Sequence, residues 1–300
     1  MGRIATNNMS RTSIHKAVIP VAGLGTRLRP LSAVVPKAMM PLPVCTDSTR
    51  QDGAMAVLPV LHHILAEAAA AGVREAAVVV SPGQEEMLQR YLDAARKTHG
   101  KGLPARVEFL VQEEALGFGH AVWLAKDFAG GGPVMVLLGD HVYAGKSGRP
   151  GCAAQVARAF ADLGGAAMIG VQPVGEAGLS LVGVAGGVPL GGGVYRCTDF
   201  IEKPDLATAR RRLRTGGLPA GRFLAHAGVY VFAAEIFDCI EELLSARRRS
   251  GAEVQLADAQ SILLTRHPED YYLMKISGQA YDTGTPAGYA ATWKAFLRRA

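Results

Sequence analysis

Aromatic side chains are scarce, 6% of 300 residues, and charged ones are few, 19%. The first shortage argues against a platform on which the bases of single-stranded nucleic acid stack. The second, beside an apolar fraction of 49%, excludes disorder as the main state. The four cysteines, Cys45, Cys152, Cys197 and Cys239, are far apart, with no C-x-x-C pair and no histidine at zinc spacing. A reduced, cytoplasmic setting fits them best. No run of eighteen apolar residues is free of charge, so no transmembrane helix and no membrane partner is expected. Residues 1–14 lack the apolar centre of a secretory signal and carry Arg3 and Arg11 among Asn, Ser and Thr. They read as a flexible N-terminal extension.

Glycine and proline are plentiful, 36 and 16, without a collagen-like period. Alanine fills 48 positions, so the apolar fraction is softer than it looks. The net charge of +6 is arginine-led, 23 Arg against nine Lys. A basic surface draws in nucleic acid or small phosphorylated molecules. The runs at 210–214, 247–249 and 298–299 lie in helix-like stretches without interleaved aromatics. They read as solvated faces, and no nucleic-acid partner is expected.

Along the chain, apolar β-rich runs alternate with helical ones. Residues 16–22 (KAVIPVA), 76–80, 106–112 and 134–138 read as strands, and 59–71, 84–97 and 119–126 as helices. That order predicts a parallel sheet with helices on both faces. From about residue 166 strands dominate, at 166–172, 181–185, 194–202 and 222–232, followed by helices near 233–247, 254–266 and 286–298. The expected fold class is α/β: a Rossmann-like mixed, mostly parallel sheet flanked by helices. No Pro/Ser linker or repeat interrupts it. Residues 15–300 read as one domain of two halves, about 15–165 and about 166–300, the second elaborating the first.

The first strand runs into Ala22-Gly23-Leu24-Gly25-Thr26-Arg27, and Lys37 follows ten residues after the arginine. Glycines let backbone N–H groups approach phosphate oxygens. The dinucleotide fingerprint fails because Leu28 holds its third glycine position, and no P-loop pattern occurs. What remains is a proline-stiffened loop whose Arg27 and Lys37 suit a triphosphate. The plainer reading is a tight turn with surface cations. Gln112, at a strand-to-helix junction before Gly117-Phe-Gly-His120, offers an amide donor and acceptor to a base edge. His120 reads as a helix-start residue. Asp140 follows a strand end, where α/β sheets place ligands, and a carboxylate there suits Mg²⁺ beside phosphates. Its alternative is a capped turn. Glu202-Lys203-Pro204 reads as a surface ion pair or as a carboxylate for hydroxyls beside an ammonium for phosphate. Neighbouring strand residues face opposite ways, so the second reading needs a local break there.

The segments G-L-G-T-R-L-R-P-L and P-K-A-M-M-P-L resemble the signature loop of the sugar-phosphate nucleotidyltransferases, the NDP-sugar pyrophosphorylases. The similarity runs from about residue 15 to 298 and is closest to the bacterial UTP–glucose-1-phosphate uridylyltransferases. It implies transfer of a nucleotidyl group from an NTP to a sugar 1-phosphate, with pyrophosphate leaving and Mg²⁺ required. By this resemblance Ala22, Gly23, Leu24, Gly25, Thr26, Gln112 and Gly117 bind the nucleotide. Arg27 and Lys37 hold the leaving pyrophosphate. Asp140 and Asp282, the latter in a D-T-G-T segment, hold the metal. Gly183, Glu202 and Gly228 bind the sugar, and Lys203 its phosphate. A homo-oligomer is implied too. Glu253-x-Gln-Leu-x-Asp258-Ala also resembles the uridylyltransferases and reads as structural. The chain departs from the pattern at Ala38, where a Glu is usual, and at Leu58, where a Lys is usual. It departs again at Val182, where a Tyr is common, and in an apparent insertion at 45–57. A thymidylyltransferase, or a non-catalytic sugar-nucleotide sensor on the same fold, is the alternative.

Overall fold

The structure, a computed structural model, describes residues 13–47, 54–99, 102–250 and 252–298. An uninterrupted apolar run buries both of its faces. In β1 (Lys16–Pro20), Ala17 and Ile19 enter one core and Val18 the other. The chain continues through the hairpin β2 (Pro41–Asp47) and β3 (Ala54–Pro59) into α1 (Val60–Ala70). Next come β4 (Glu75–Val80), α2 (Glu85–His99), β5 (Arg106–Val111), α3 (Phe118–Trp123), α4 (Lys126–Ala129) and β6 (Val134–Leu137). The second half holds β7 (His141–Gly145), α5 (Cys152–Leu163), β8 (Ala167–Gly175), β9 (Gly183–Gly191), β10 (Val194–Glu202) and α6 (Leu206–Arg212). It ends with β11 (Arg222–Phe232), α7 (Glu235–Ser250), α8 (Leu256–Arg266), β12 (Tyr271–Lys275), β13 (Gly278–Asp282) and α9 (Pro286–Leu297).

Among the described residues nine strands form one sheet in the order β5-β4-β1-β6-β11-β8-β12-β10-β9. Seven of them point the same way, β11 and β10 being reversed. This is the mixed, mostly parallel arrangement expected from the sequence. Helices α1, α2, α5 and α9 cover one face and α3, α7 and α8 the other. β1 lies between β4 and β6, so the strand order reverses there, and ligands of open α/β sheets bind outside the carboxyl ends at such a point. β9 also bonds to β11, which closes β11, β8, β12, β10 and β9 into a ring. β13 and β7 pair outside the main sheet as an antiparallel ribbon that sets Asp282 opposite His141.

Several expectations change. The helix expected at 119–126 is two short ones, α3 and α4, and the strand expected at 181–185 starts at Gly183. Ile14 is buried in the core and so belongs to the body, while residues 1–12 of the expected extension lie outside the described residues. The insertion at 45–57 falls in the β2–β3 hairpin, whose strands pair from Pro41 with Pro59 to Asp47 with Ala54. Helix α5 was not expected, and its start explains why. Its N-cap is Gly151, and the cap hydrogen bond comes from elsewhere: Ala153 N–H donates to Glu67 Oε1 of α1 at 2.7 Å. Arg210 and Arg212 of the basic run pair with Glu176 and Asp199 on the surface, where such pairs add little stability.

His62 is buried on α1 and pairs with the Tyr91 hydroxyl at 2.8 Å. Burial, and then the neighbouring His63 and His99, push its pKa down to about 4. Between about pH 6.5 and 4 the unfolded chain therefore takes up a proton that the fold rejects, so stability falls as the pH falls through that window. Urea unfolding from pH 7 to pH 4 should show this loss, and His62→Phe should make it shallower. An unchanged slope in the variant would contradict the assignment.

Candidate active site

β1 delivers the chain to the switch point, and the turn after it is held from three sides. Gly25 takes a left-handed conformation, φ 61°, which starts a 3-10 turn at Thr26. Ser32 Oγ donates to Gly25 O at 2.7 Å, and Ser81 Oγ donates to Ala22 O at 2.8 Å. The Lys37 ammonium lies against Gly23, 3.4 Å from where a methyl group on that glycine would stand. The turn opens on a cleft of about 420 Å³. Ala22, Gly23, Leu24, Gly25, Thr26, Gln112 and Gly117, the seven positions assigned to the nucleotide, all line it, with Lys37, Asp140 and Glu253.

At the far end of the cleft, Gln112 is buried and its amide orientation is fixed. Its Nε2 donates to Gly117 O at 3.1 Å and meets His120 Nδ1 at 3.0 Å. His120 stacks on Trp123, and burial, then Arg247, push its pKa down. Neutral, it accepts from the Gln112 amide, which turns Gln112 Oε1 the other way. Gly117, which lines the cleft, also serves packing. A methyl group there would stand 2.5 Å from Val254 O, so the missing side chain makes room for the Val254 backbone. Gly119 N–H donates to Val254 O, and Val254 N–H donates to Leu116 O, each at 2.8 Å. The E-x-Q-L segment is thus structural at Val254, and it also brings Glu253 to the cleft.

β6 ends beside β1. Gly139 passes so close that a methyl group on it would stand 2.3 Å from Pro20 O. Asp140 follows. Its Oδ2 accepts from Lys37 Nζ at 2.7 Å, and its Oδ1 from His141 Nδ1 at 3.0 Å. Burial alone would raise this carboxyl. The His141 hydrogen bond and the Lys37 charge overcome burial and hold it far below the usual carboxylate range. Thr283 stitches in the second acid: its N–H and its hydroxyl both donate to Asp140 O at 2.8 Å. Donor atoms of Asp140, His141 and Asp282 all lie within 4.8 Å of one another. Gly284 N–H donates to Asp282 Oδ1 at 2.6 Å. A methyl group on Gly284 would stand 2.8 Å from Asp140 Oδ2, 3.0 Å from Asp282 Oδ1 and 3.5 Å from Arg27 Nη2. Arg27, Lys37, Asp140 and Asp282 therefore converge. The gap between the two carboxylates exists because residue 284 has no side chain. Two hard carboxylate oxygens around such a gap fit Mg²⁺. His141, already bonded to Asp140, suits an orienting role.

The remaining predicted residues lie beyond His141. Its ring packs on Gly228, whose φ of 75° and whose contact, a methyl group 2.9 Å from His141 Cδ2, both require glycine. Glu202 ends β10 opposite Gly183. Lys203 then breaks the strand with φ 50°, the one non-glycine with positive φ among the described residues, while its N–H donates to Val182 O at 3.1 Å. This is the break that lets both side chains face one way: Lys203 Nζ lies 3.7 Å from Glu202 Oε1, both side chains more than half exposed. Ala38, one of the departures, is fully buried in the apolar core.

The nucleotidyl transferase family profile matches residues 16–298. The chain belongs to that family. The nucleotidyltransferase is 30% identical over 295 residues to a UTP–glucose-1-phosphate uridylyltransferase of Bacillus subtilis, covering 93% of this chain and 89% of the relative. It is 31% identical to a second such enzyme, of Staphylococcus saprophyticus, over 93% and 90%. Among solved structures it is similar to a UTP-bound UGPase from Acinetobacter baumannii, with TM-score 0.72, 25% identity, and 96% and 94% of the two chains covered. A UDP-glucose pyrophosphorylase complexed with UDP-glucose shares the fold, with TM-score 0.75, 22% identity, and 96% and 100% covered.

Sequence reasoning missed Ser32, Ser81, Glu253, Thr283 and Gly284. Glu253 stood in the E-x-Q-L segment and Thr283 and Gly284 in D-T-G-T, while Ser32 and Ser81 had no signal. Gly284→Ala in the nucleotidyltransferase should leave the fold intact, since the position has no left-handed φ, and crowd the two carboxylates. The Mg²⁺ concentration for half-maximal activity should rise by on the order of tenfold. An unchanged metal requirement would show that the gap holds no ion.

Proposed function

We propose that this nucleotidyltransferase is an NDP-sugar pyrophosphorylase that joins UTP to glucose 1-phosphate, with Mg²⁺, and releases pyrophosphate. The convergence of Arg27, Lys37, Asp140 and Asp282 at the switch point carries the reading. The named activity of its curated relatives supports the choice of substrates. Gln112 Oε1 suits the N3–H of uracil, which thymine also presents, so the thymidylyltransferase reading shares this contact.

The task is to bring two polyanions into bonding distance. The amides of the turn at Gly23–Gly25 face the triphosphate, and Arg27 and Lys37 take the charge of the β- and γ-phosphates. Lys203 fixes the sugar phosphate, and Glu202 accepts from the sugar hydroxyls. A phosphate oxygen of the sugar attacks the α-phosphorus in line. The bond to the β-bridging oxygen breaks, and pyrophosphate departs. That oxygen is already ionised, so no base is needed. Mg²⁺ held by Asp140 and Asp282 would neutralise charge where the phosphates meet. A cytoplasmic, homo-oligomeric enzyme belongs to the same reading. Among the described residues no helix is long and apolar enough to cross a membrane.

Pyrophosphate release from a panel of NTPs and sugar 1-phosphates tests the proposal. UTP with glucose 1-phosphate should be preferred. A preference for dTTP would move the chain to the thymidylyltransferases, and binding without turnover would make it a sensor. Lys203→Ala should lower turnover by about 10²–10³, as expected on removing a preorganised charge. A wild-type rate would remove Lys203 from the reaction.

A further inference from the structure

His226 lies on β11, two residues before Gly228, in the half of the molecule that holds Glu202 and Lys203. Its Nε2 is buried with no hydrogen-bond partner. The ring sits among aromatic neighbours, with Phe200 at 5.5 Å and Tyr230 at 5.8 Å between centroids. An unpaired polar atom in such surroundings weakens the fold, and a phenylalanine or leucine would fill the space without that cost. The imidazole therefore calls for an explanation outside packing.

The other end of the ring supplies one. Above Gly183, a methyl group would stand 2.9 Å from Glu202 Oε2 and 3.2 Å from His226 Nδ1. Both polar atoms thus reach the same side of Gly183, where any side chain would collide with them. Burial pushes His226 down to about 4, so the ring is neutral at pH 7 and carries one N–H. A buried, unpaired N–H is rarer than a buried, unpaired acceptor. The proton therefore belongs on Nδ1, and the bare Nε2 faces the interior. Beside Gly183 the chain then presents an acceptor, the Glu202 carboxylate, and a donor, the His226 Nδ1–H, on one side. A hydroxyl group needs that combination, because it donates to one and accepts from the other.

We propose that His226 is a specificity-determining residue, which with Glu202 holds one ring hydroxyl of the sugar over Gly183. The inference rests on the reading of Glu202 and Lys203 as the sugar-phosphate site. It adds that the sugar is chosen by a donor–acceptor pair that reads a single hydroxyl. Sites built to hydrogen-bond a hydroxyl reject analogues that lack it, because their polar groups are left unpaired. The cost of the orphaned Nε2 is the counterpart of that selectivity.

The test uses the full-length chain, saturating UTP, and glucose 1-phosphate beside its 2-, 3-, 4- and 6-deoxy analogues. The wild type should lose roughly tenfold or more in kcat/KM with one of the four. His226→Phe, which keeps an aromatic ring and both aromatic contacts, should shrink the penalty at that one position several-fold, since only the Glu202 acceptor then remains. It should leave the KM for UTP within about twofold and should not lower the Tm. His226→Asn, whose amide N–H stands near the place of Nδ1–H, should restore the penalty, and it carries the test if the phenylalanine variant does not fold. Identical deoxy penalties in the wild type and His226→Phe, or no penalty in His226→Asn, would overturn the role of His226 and leave the reaction intact. Absence of pyrophosphate from the wild type with every sugar would overturn the site reading itself, and this inference with it.

Discussion

The structure turns on forcing two carboxylates together. Asp140 and Asp282 are 142 positions apart in the chain, yet their oxygens come within 4.8 Å. At an effective dielectric of about 20, like charges at that separation repel by roughly 3 kcal/mol. Backbone pairing supplies the force that opposes this. The β7–β13 ribbon sets Asp282 opposite His141, and Thr283 donates twice to Asp140 O. Lys37, His141 and Arg27 supply the compensating positive groups and hydrogen bonds. A site that holds repelling acids in place is already prepared for a divalent cation and for the phosphates that accompany one.

From this centre the contacts extend in two directions. Towards the nucleotide cleft they run through Lys37 to Gly23 and the turn after β1. Towards the sugar they run from His141 to Gly228, on to His226 two residues earlier in β11, and across Gly183 to Glu202. Glycines occupy the crossing points because backbone, ring or carboxylate takes up the space a side chain would need. The abundance of glycine in the sequence thus has a local meaning at Gly139, Gly228 and Gly284. Each lets two chain segments approach within van der Waals contact at the junction where the substrates would meet.

Much of this was legible in the sequence because its signals are local. The apolar runs of β1, β4 and β6 bury both faces, so their period and length identify them. The glycine turn, Asp140 and Glu202-Lys203 all stand at strand ends, which the pattern locates. What escaped depends on distant partners. Helix α5 starts at a glycine and is capped by Glu67, which no local rule can find. The space beside Gly117 is taken by Val254, more than a hundred residues away, a packing role that the motif alone does not reveal. Glu253 stands in a segment that reads as structural and His226 in no motif, and their positions follow from backbone pairing and ring packing. The strand break at Lys203 was required by the chemistry before it was seen, since adjacent strand residues face opposite ways.

The most direct test of the shared acid centre is Mn²⁺ binding followed by electron paramagnetic resonance in the wild type, Asp140→Asn, Asp282→Asn and the double variant, each with UTP present. If both carboxylates hold one ion, each single substitution removes the same binding site and the double variant is no worse than either, a non-additive pattern. Independent, additive losses would show that the aspartates serve different ions. Full Mn²⁺ binding in Asp282→Asn would contradict the shared centre outright.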